Sequence, residues 1–278
     1  MKIAITAEST IDLPKEILNK YNIKTIPFQV MLGETEYKDG EISSADIFEY
    51  VQKNKVLPKT SAINEEQYTN FFAEEIKGYD ALIHFCLSSK ISSACSHAIA
   101  AAEHFSDVFV VDSLSLSTGI ALEAIKARKL ADEGLEAKEI YETLTNLTPK
   151  VQASFVIERL DYLAKGGRCS SILAFGANLL KLRPQIILKD GAMKSAKKYR
   201  GNMDKVIGEY CADVLKEHAE PDLSVGFITY TSATPEMVEK AKQALQARGF
   251  ENIYETHAGA TITSHCGEHT LGILFIDK

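Results

Sequence analysis

Residues 81–93 read ALIHFCLSSKISS, and residues 108–118 read VFVVDSLSLST. In both stretches a short apolar run is followed at once by several hydroxyl side chains. Such runs predict strands buried on both faces of a parallel sheet, and the residues after each hydroxyl cluster predict a helix. Both clusters therefore fall where strands end and helices begin, the edge at which open α/β sheets bind ligands.

The hydroxyl clusters at these strand ends allow two interpretations. Serine and threonine are good helix N-caps, so one or two per junction need no further explanation. The first junction has four serines, Ser88, Ser89, Ser92 and Ser93, which is more than one cap requires. This excess favours a ligand held by hydroxyl groups. The second cluster, around Asp112 and Ser113, either binds the ligand too or only caps a helix and braces the first.

Composition indicates an ordinary globular protein. The chain has 278 residues, 45% of them hydrophobic, and a net charge of −7 without a basic block, which argues against nucleic acid and anionic membrane as main partners. No apolar run approaches the ~20 residues of a membrane span. The N-terminus, MKIAIT, predicts a first strand and not a signal peptide. Five cysteines without a C-x-x-C pair indicate reduced thiols and a cytoplasmic location.

The order of predicted elements indicates two domains. Residues 1–150 alternate strands and helices, which predicts an α/β domain with a doubly wound parallel sheet. Residues 151–278 predict a mixed α+β domain, because Asp190-Gly191 is a strong signal for a hairpin turn between two strands. We expect the boundary near Pro149.

Four shorter segments carry their own expectations. We expect Asp12 to cap a short helix and residues 24–31 to be extended. Thr60-Ser61, taken alone, is a capping signal before a helix. An apolar helix is predicted over residues 172–182.

The usual signatures of enzymes are missing. The chain has no G-x-x-x-x-G-K-[ST], G-x-G-x-x-G, H-E-x-x-H or G-x-S-x-G motif, so kinase, dehydrogenase, zincin and common hydrolase functions lose their usual support. A nucleophilic serine lacks an evident base. His265 and His269 would share one helix face, but further metal ligands are not obvious and Gly267 weakens the helix, so we expect no metal and a neutral, hydrogen-bonding His265.

The segment Lys165-Gly166-Gly167-Arg168 also allows two interpretations. Paired glycines flanked by cations can present an anion site. They can equally end a helix, with the basic side chains complementing its dipole.

Taken together, these pieces resemble the DegV family of bacterial fatty-acid-binding proteins from end to end. The resemblance rests on six segments in the family's order: Glu8–Pro14, Lys59–Ser61, Leu87–Ser92, Val111–Ser115, Leu160–Arg168 and His265–Gly267. The chain departs from the family pattern at Glu8, where aspartate is usual, at Ser93-Ala94, at Ala62-Ile63 and at Glu268-His269.

The resemblance implies two α/β domains with a long-chain fatty acid buried between them. It implies that Thr60, Ser92 and His265 hold the carboxylate, with Ser61 as a neighbour. It also implies a carrier that hands the acid to a separate fatty acid kinase for acyl-phosphate formation, without a cofactor or a catalytic residue of its own. Arg168 and Arg200 would match the basic positions that take part in the encounter with the kinase.

The chemistry of such a site is reasonable, and the alternatives remain open. Burying an acyl chain gains about 0.8 kcal/mol per methylene, whereas an unpaired buried carboxylate is very costly. Candidate lining residues are Phe28, Phe72, Phe175, Leu179, Leu180 and Ile186. A serine-dependent esterase or acyltransferase, and a binding module for another small carboxylate or phosphate, are the competing hypotheses. A transient encounter with a membrane is compatible with the carrier.

Overall fold

A computed structural model describes residues 1–169 and 181–278. The strands of this part of the chain are β1 Ile3–Glu8, β2 Ile23–Ile26, β3 Gln29–Leu32, β4 Thr35–Lys38, β5 Lys59–Ser61, β6 Ala81–Cys86, β7 Val108–Asp112, β8 Val151–Val156, β9 Leu182–Lys189, β10 Ala192–Arg200, β11 Gly226–Tyr230, β12 Ile253–His257 and β13 Leu271–Ile276. Its α-helices are α1 Lys15–Lys20, α2 Ser44–Asn54, α3 Glu65–Glu75, α4 Ala94–Ala102, α5 Thr118–Asp132, α6 Ala137–Leu147, α7 Leu160–Gly166, α8 Met203–Glu217, α9 Pro235–Arg248 and α10 Ala260–Cys266.

The first half contains the predicted parallel sheet. Its strand order is β2-β1-β6-β7, and all three pairings are parallel. β6 lies in the centre, with Ile5 opposite Ile83, and every residue of β6 is buried, as expected for a strand covered on both faces. Helices α3 and α4 pack against each other beside this sheet, as do α5 and α6. Both hydroxyl clusters lie at the carboxyl ends of its strands.

The second half contains a mixed sheet with the order β10-β9-β8-β13-β11-β12. The predicted hairpin joins β9 to β10, and both turn residues, Asp190 and Gly191, have positive φ, which suits a two-residue hairpin turn. β11 and β12 are parallel and are connected through α9, whereas β13 is antiparallel to both of its neighbours. The combination of a parallel sheet and a mixed sheet confirms the predicted fold class.

A small antiparallel sheet, ordered β4-β3-β5, corrects two local expectations. Residues 24–31 are not one extended segment, because β2 pairs in the parallel sheet and β3 pairs in the small sheet. Thr60-Ser61 is not a cap but belongs to β5. The cap of α3 is Asn64, whose side chain accepts a hydrogen bond from the Gln67 amide.

The expectation for Asp12 was also wrong. Pro14 occupies the N-cap position of α1, whereas Asp12 has a left-handed backbone and ends a 3₁₀ turn over Ser9–Ile11. Its carboxylate instead accepts hydrogen bonds from Ser117 and from the amide of Gly259. Of the apolar helix predicted over residues 172–182, positions 172–180 lie outside the described residues, and Leu182 begins β9.

The largest hydrophobic core extends across residue 150. It contains Ile5 and Leu122 from the first half together with Phe227 and Leu274 from the second. Helix α5 provides this continuity, because it contacts β1 and β6 as well as β8 and β13. No helix in the described ranges is both long and apolar enough to cross a membrane.

Candidate ligand-binding site

A cavity of about 330 Å³ lies where the two halves of the chain meet. Its polar lining residues are Thr60, Ser92, Ser93, Arg168, Thr261 and His265. The remaining described lining residues are apolar, namely Phe28, Ala62, Leu87, Ile91, Leu116, Met193, Ile262 and Cys266. A mostly apolar wall with a few convergent polar groups is typical of a small-molecule site.

Thr60 and His265 meet directly in this cavity, although 205 residues separate them. Thr60 lies in β5, opposite Val30 of β3, and its Oγ1 is 2.8 Å from Nε2 of His265. The other ring nitrogen, Nδ1, is buried and has no hydrogen-bond partner among the described residues. It faces Gly166 so closely that a Cβ at that position would lie 2.7 Å from Nδ1.

The imidazole of His265 is held in its neutral form. Burial lowers its pKa to about 4, and the positive charge of Arg168 acts in the same direction. A neutral imidazole carries one N–H group and one lone pair, so His265 can accept or donate within the site without adding a charge of its own.

Helix α10, which carries His265, begins at two buried carboxylates. Asp12 Oδ1 accepts a hydrogen bond from the Gly259 amide, and Asp39 Oδ1 accepts one from the Ala260 amide, both at 2.8 Å. These acids satisfy amides that a helix start would otherwise leave unpaired. The first half of the chain therefore positions the helix that carries the imidazole.

The first hydroxyl cluster divides between lining the cavity and supporting it. Ser92 lines the cavity while its Oγ accepts a hydrogen bond from the Ala94 amide at 3.1 Å, so its own hydroxyl proton, which has no acceptor among the described residues, can be donated to a ligand. Ser93 also lines the cavity. Ser88 is fully buried and donates to the Gly191 carbonyl at 2.7 Å, which ties the β9–β10 turn to this loop.

The second hydroxyl cluster braces the first. Ser113 Oγ donates to the Cys86 carbonyl at 2.6 Å, and the Ser115 carbonyl accepts from the Ser88 amide at 3.0 Å. Asp112 accepts hydrogen bonds from the amides of Ser89 and Leu114. Within the described lining of the cavity, this cluster contributes only Leu116. Of the two hypotheses for the cluster, the structure favours the supporting role.

Two predicted residues do not reach the cavity. Ser61 is exposed, because neighbouring side chains of a strand point to opposite faces and Thr60 takes the inner one. Arg200 is exposed at the end of β10, and the strand rise of about 3.3 Å per residue places it roughly 20 Å from Met193 in the cavity wall. Arg168, by contrast, lines the cavity and donates to the Gly166 carbonyl at 2.5 Å.

The segment around Gly166 and Gly167 ends a helix. α7 stops at Gly166, and Gly167 follows with a left-handed backbone whose amide bonds to the Leu163 carbonyl. This geometry is the glycine-closed helix end of the second interpretation, and it delivers Arg168 to the cavity.

Sequence reasoning missed Thr261. Its hydroxyl is buried in the cavity wall and has no hydrogen-bond partner in the described part of the chain. Thr261 precedes His265 by one helical turn of α10, so both side chains lie on the same helix face. The four-residue spacing of Thr261 and His265 was visible in the sequence. The helix that places both side chains on one face was not predicted.

The predicted lining residues are only partly in the wall. Phe28 lines the cavity, whereas Phe72 and Ile186 are buried in the hydrophobic core outside its described lining. The other three candidates, Phe175, Leu179 and Leu180, lie outside the described residues.

One group of potential metal ligands lies behind the site. Ligand atoms of Glu8, His84 and Cys86 fall within 4.8 Å of one another, and all three residues are buried. The Glu8 carboxyl already accepts hydrogen bonds from Tyr68 at 2.5 Å and from the Leu87 amide at 2.6 Å. Because its oxygens are engaged, we interpret this group as a hydrogen-bonded buried acid. His269, beyond the end of α10, bonds to Glu158 instead.

Comparison with known proteins agrees with this architecture. Residues 2–278 match the family model described as "Uncharacterised protein, DegV family". Protein DegV of Bacillus subtilis strain 168 is 31% identical over 283 residues, covering 100% of both chains. The structure described as "Fatty Acid Binding of a DegV family Protein from Thermus thermophilus" has a TM-score of 0.92 and 28% identity, with 100% of both chains covered. The structure of "DegV, a fatty acid binding protein from Bacillus subtilis" has a TM-score of 0.87 and 28% identity over the same full coverage.

Proposed function

This chain belongs to the DegV family, and we propose that it binds a long-chain fatty acid in the 330 Å³ cavity and presents the carboxylate to a separate kinase. In this proposal the protein is a cytoplasmic carrier without a cofactor and not itself an enzyme. The ligand lies between two domains, residues 1–150 and 151–278. Relatives described as fatty-acid-binding proteins, with the same fold over their full length, support it.

The observation that carries the proposal is that Thr60, Ser92 and His265 line one cavity with a largely apolar wall, and that Thr60 and His265 are hydrogen-bonded there. A buried carboxylate needs hydrogen-bond donors to offset its loss of water. The hydroxyl proton of Ser92, whose oxygen accepts from the Ala94 amide, is one such donor. When Nε2–H of His265 donates to Thr60, the threonine proton becomes a second.

Hydroxyl groups suit a carboxylate that must still react. A bidentate arginine clamp would engage both carboxylate oxygens and reduce their nucleophilicity. Hydroxyls orient the oxygen and leave it available for phosphorylation to an acyl-phosphate. Arg168 is exposed at the cavity wall, so its guanidinium can contact the phosphate group that the kinase transfers to the carboxylate. Arg200 remains a second, more distant candidate for the kinase contact, and loading from a membrane would be transient.

The hydrolase hypothesis lacks a comparable observation. In the described structure His265 is hydrogen-bonded to Thr60, and Ser92 Oγ bonds to the Ala94 amide. Ser92 therefore has no imidazole partner in this arrangement to remove its proton.

The head-group assignment predicts a selective loss of affinity. Thr60→Val and His265→Ala should each raise the Kd for palmitate by about 10-fold or more, because hydrogen bonds to charged groups contribute about 1.5–3 kcal/mol. Ser61→Ala is the matched control, since its side chain is exposed beside Thr60, and it should bind normally. Mass spectrometry of a lipid extract should identify a fatty acid in the purified protein. Unchanged Kd values for both cavity variants would refute the assignment.

The role of Arg168 is tested with the kinase present. Arg168→Ala should reduce acyl-phosphate formation more than it reduces fatty-acid binding, because the exposed guanidinium faces the reacting end of the ligand. Arg183→Ala serves as a control for the loss of an arginine, since that side chain bonds to Glu158 outside the described lining of this cavity. An equal loss of binding and phosphorylation in Arg168→Ala would exclude a role in the encounter.

A further inference from the structure

A second, smaller cavity of about 30 Å³ adjoins the first. In the described part of the chain the two cavities have three lining residues in common, Leu116, Ile262 and Cys266, and all three are buried. Ile262 and Cys266 are one turn apart on α10 and therefore lie on one helix face. We call these three residues the partition, because they contribute to the walls of both cavities.

Among the described lining residues of the second cavity, the side-chain polar groups already have hydrogen-bond partners. Its lining includes several hydroxyl side chains, yet each has a partner within the fold. The bonds run from Ser117 to Asp12 at 2.5 Å, between Ser154 and Tyr210 at 2.9 Å, between Thr229 and Thr256 at 2.9 Å, from Thr231 to the Gly267 carbonyl at 2.6 Å, from Thr270 to the Cys266 carbonyl at 3.0 Å and from Tyr230 to Glu255 at 2.6 Å. A small cavity without open polar groups does not attract water and suits a hydrocarbon.

Two paired strands of the mixed sheet, β8 and β13, contribute to the wall of the second cavity. Gly272 of β13 lines it, and a Cβ at that position would lie 2.4 Å from the Ser154 carbonyl oxygen. Phe155 and Leu274 add apolar residues to this wall. The volume of the second cavity, about 30 Å³, holds roughly two water-sized groups, which matches the last two carbons of an acyl chain.

We propose that the partition makes the protein selective for acyl-chain length. This inference rests on the proposed function and adds a specificity determinant to it. The carboxylate end stays at Thr60, Ser92 and His265, and the methyl end of a sufficiently long chain passes between Leu116, Ile262 and Cys266 into the second cavity. Shorter chains end in the first cavity and leave the second unfilled. Each methylene buried beyond the partition adds about four-fold to the affinity.

The experiment is a set of Kd values for saturated acids from decanoic to eicosanoic acid. In the unmodified protein, affinity should rise with each added pair of carbons, up to a length beyond which it falls. Ala258→Leu fills the second cavity from a residue outside the described lining of the first. It should lower the affinity for the best long chain by about 10-fold and leave decanoic acid unchanged. Ile262→Ala opens the partition and should shift the optimum to a longer acid.

Met193→Ala is the control, since Met193 lines only the first of the two cavities. It should change the affinities for long and short acids by similar factors. Thermal unfolding of each variant identifies any that does not fold, and Ala258→Val then replaces Ala258→Leu. If both the Ala258 and Ile262 variants alter all chain lengths equally, or none, the partition does not select length. If the unmodified protein binds none of the acids, the proposed function itself fails.

Discussion

Glu8 is a buried acid that connects the parallel sheet to the ligand cavity. It ends β1, and its carboxyl accepts hydrogen bonds from the hydroxyls of Tyr68 and Thr10 and from the amide of Leu87, a cavity-lining residue. Burial raises the pKa of Glu8 to about 7, although these hydrogen bonds oppose the shift. The protonation of one core side chain is therefore coupled to the loop that carries Ser92.

Replacement of this acid should change how stability depends on pH. The protonated form of Glu8 contributes stability that is fully present below about pH 4.5, and this contribution is lost as the pH rises through about 7. The shift corresponds to about 3 kcal/mol. Glu8→Gln cannot ionise, so its free energy of unfolding should decrease less than that of the unmodified protein between pH 4.5 and 8. Urea titrations at both pH values measure this difference.

The Glu8→Gln variant must be compared with the unmodified protein, because Asp12 and Glu123 are also buried acids with raised pKa values. Both are present in the variant and in the unmodified protein, so their contributions cancel in the difference. Identical pH dependence in the two proteins would show that folding does not raise the pKa of Glu8 above its unfolded value.

Helix α10 depends on the rest of the fold. It has seven residues, and helices this short are marginal in isolation. Its sequence ATITSHC contains Thr261, Ile262 and Thr263, whose β-branched side chains favour strands. Asp12 and Asp39 stabilise its first turn, and the Ser44 hydroxyl contacts the Ala258 carbonyl and Thr263.

Loss of the Asp12 carboxylate should therefore weaken both the fold and the site. Asp12→Ala leaves the Gly259 amide and the Ser117 hydroxyl without their acceptor, and unsatisfied buried groups cost about 1–3 kcal/mol each. We expect a loss of about 2 kcal/mol or more in unfolding free energy, together with weaker fatty-acid binding because α10 carries His265. Chemical denaturation and Kd measurements test both effects.

Asp12→Asn is the matched control for this change. Asparagine tolerates the left-handed backbone at this position and keeps a carbonyl oxygen toward the Gly259 amide. It should retain most of the stability and affinity that the alanine variant loses. Equal losses in both variants would mean that the hydrogen bond from the Gly259 amide is not what supports α10.

The elements that sequence patterns predicted are those whose signals are local. The buried strands β6 and β7 follow from short apolar runs, and the hairpin follows from Asp190-Gly191. β5 has three residues, too few to show alternation, and α10 has strand-favouring residues. These two elements carry Thr60 and His265. The contact between these two residues therefore could not be predicted from sequence patterns. Only the family resemblance indicated both of them as ligand-binding residues.

The lining of the candidate ligand cavity comes from both halves of the chain. Thr60 and Ser92 come from the first half, and Arg168 and His265 come from the second. Other contacts also join the two halves. They include the hydrogen bond from Ser88 to the Gly191 carbonyl and the hydrogen bond between Thr118 of α5 and Thr229 of β11. A ligand that touches both halves should stabilise them together.

Fatty-acid binding should therefore raise the Tm of the whole molecule in one transition. A ligand at 100 times its Kd adds about 2.7 kcal/mol to the folded state. For a chain of this size that corresponds to a rise of about 5 °C or more. Scanning calorimetry with palmitate measures it, and His265→Ala at the same ligand concentration should show a smaller rise. If palmitate shifted only one of two separate transitions, the ligand would be bound within one half, and a site shared between the halves would be excluded.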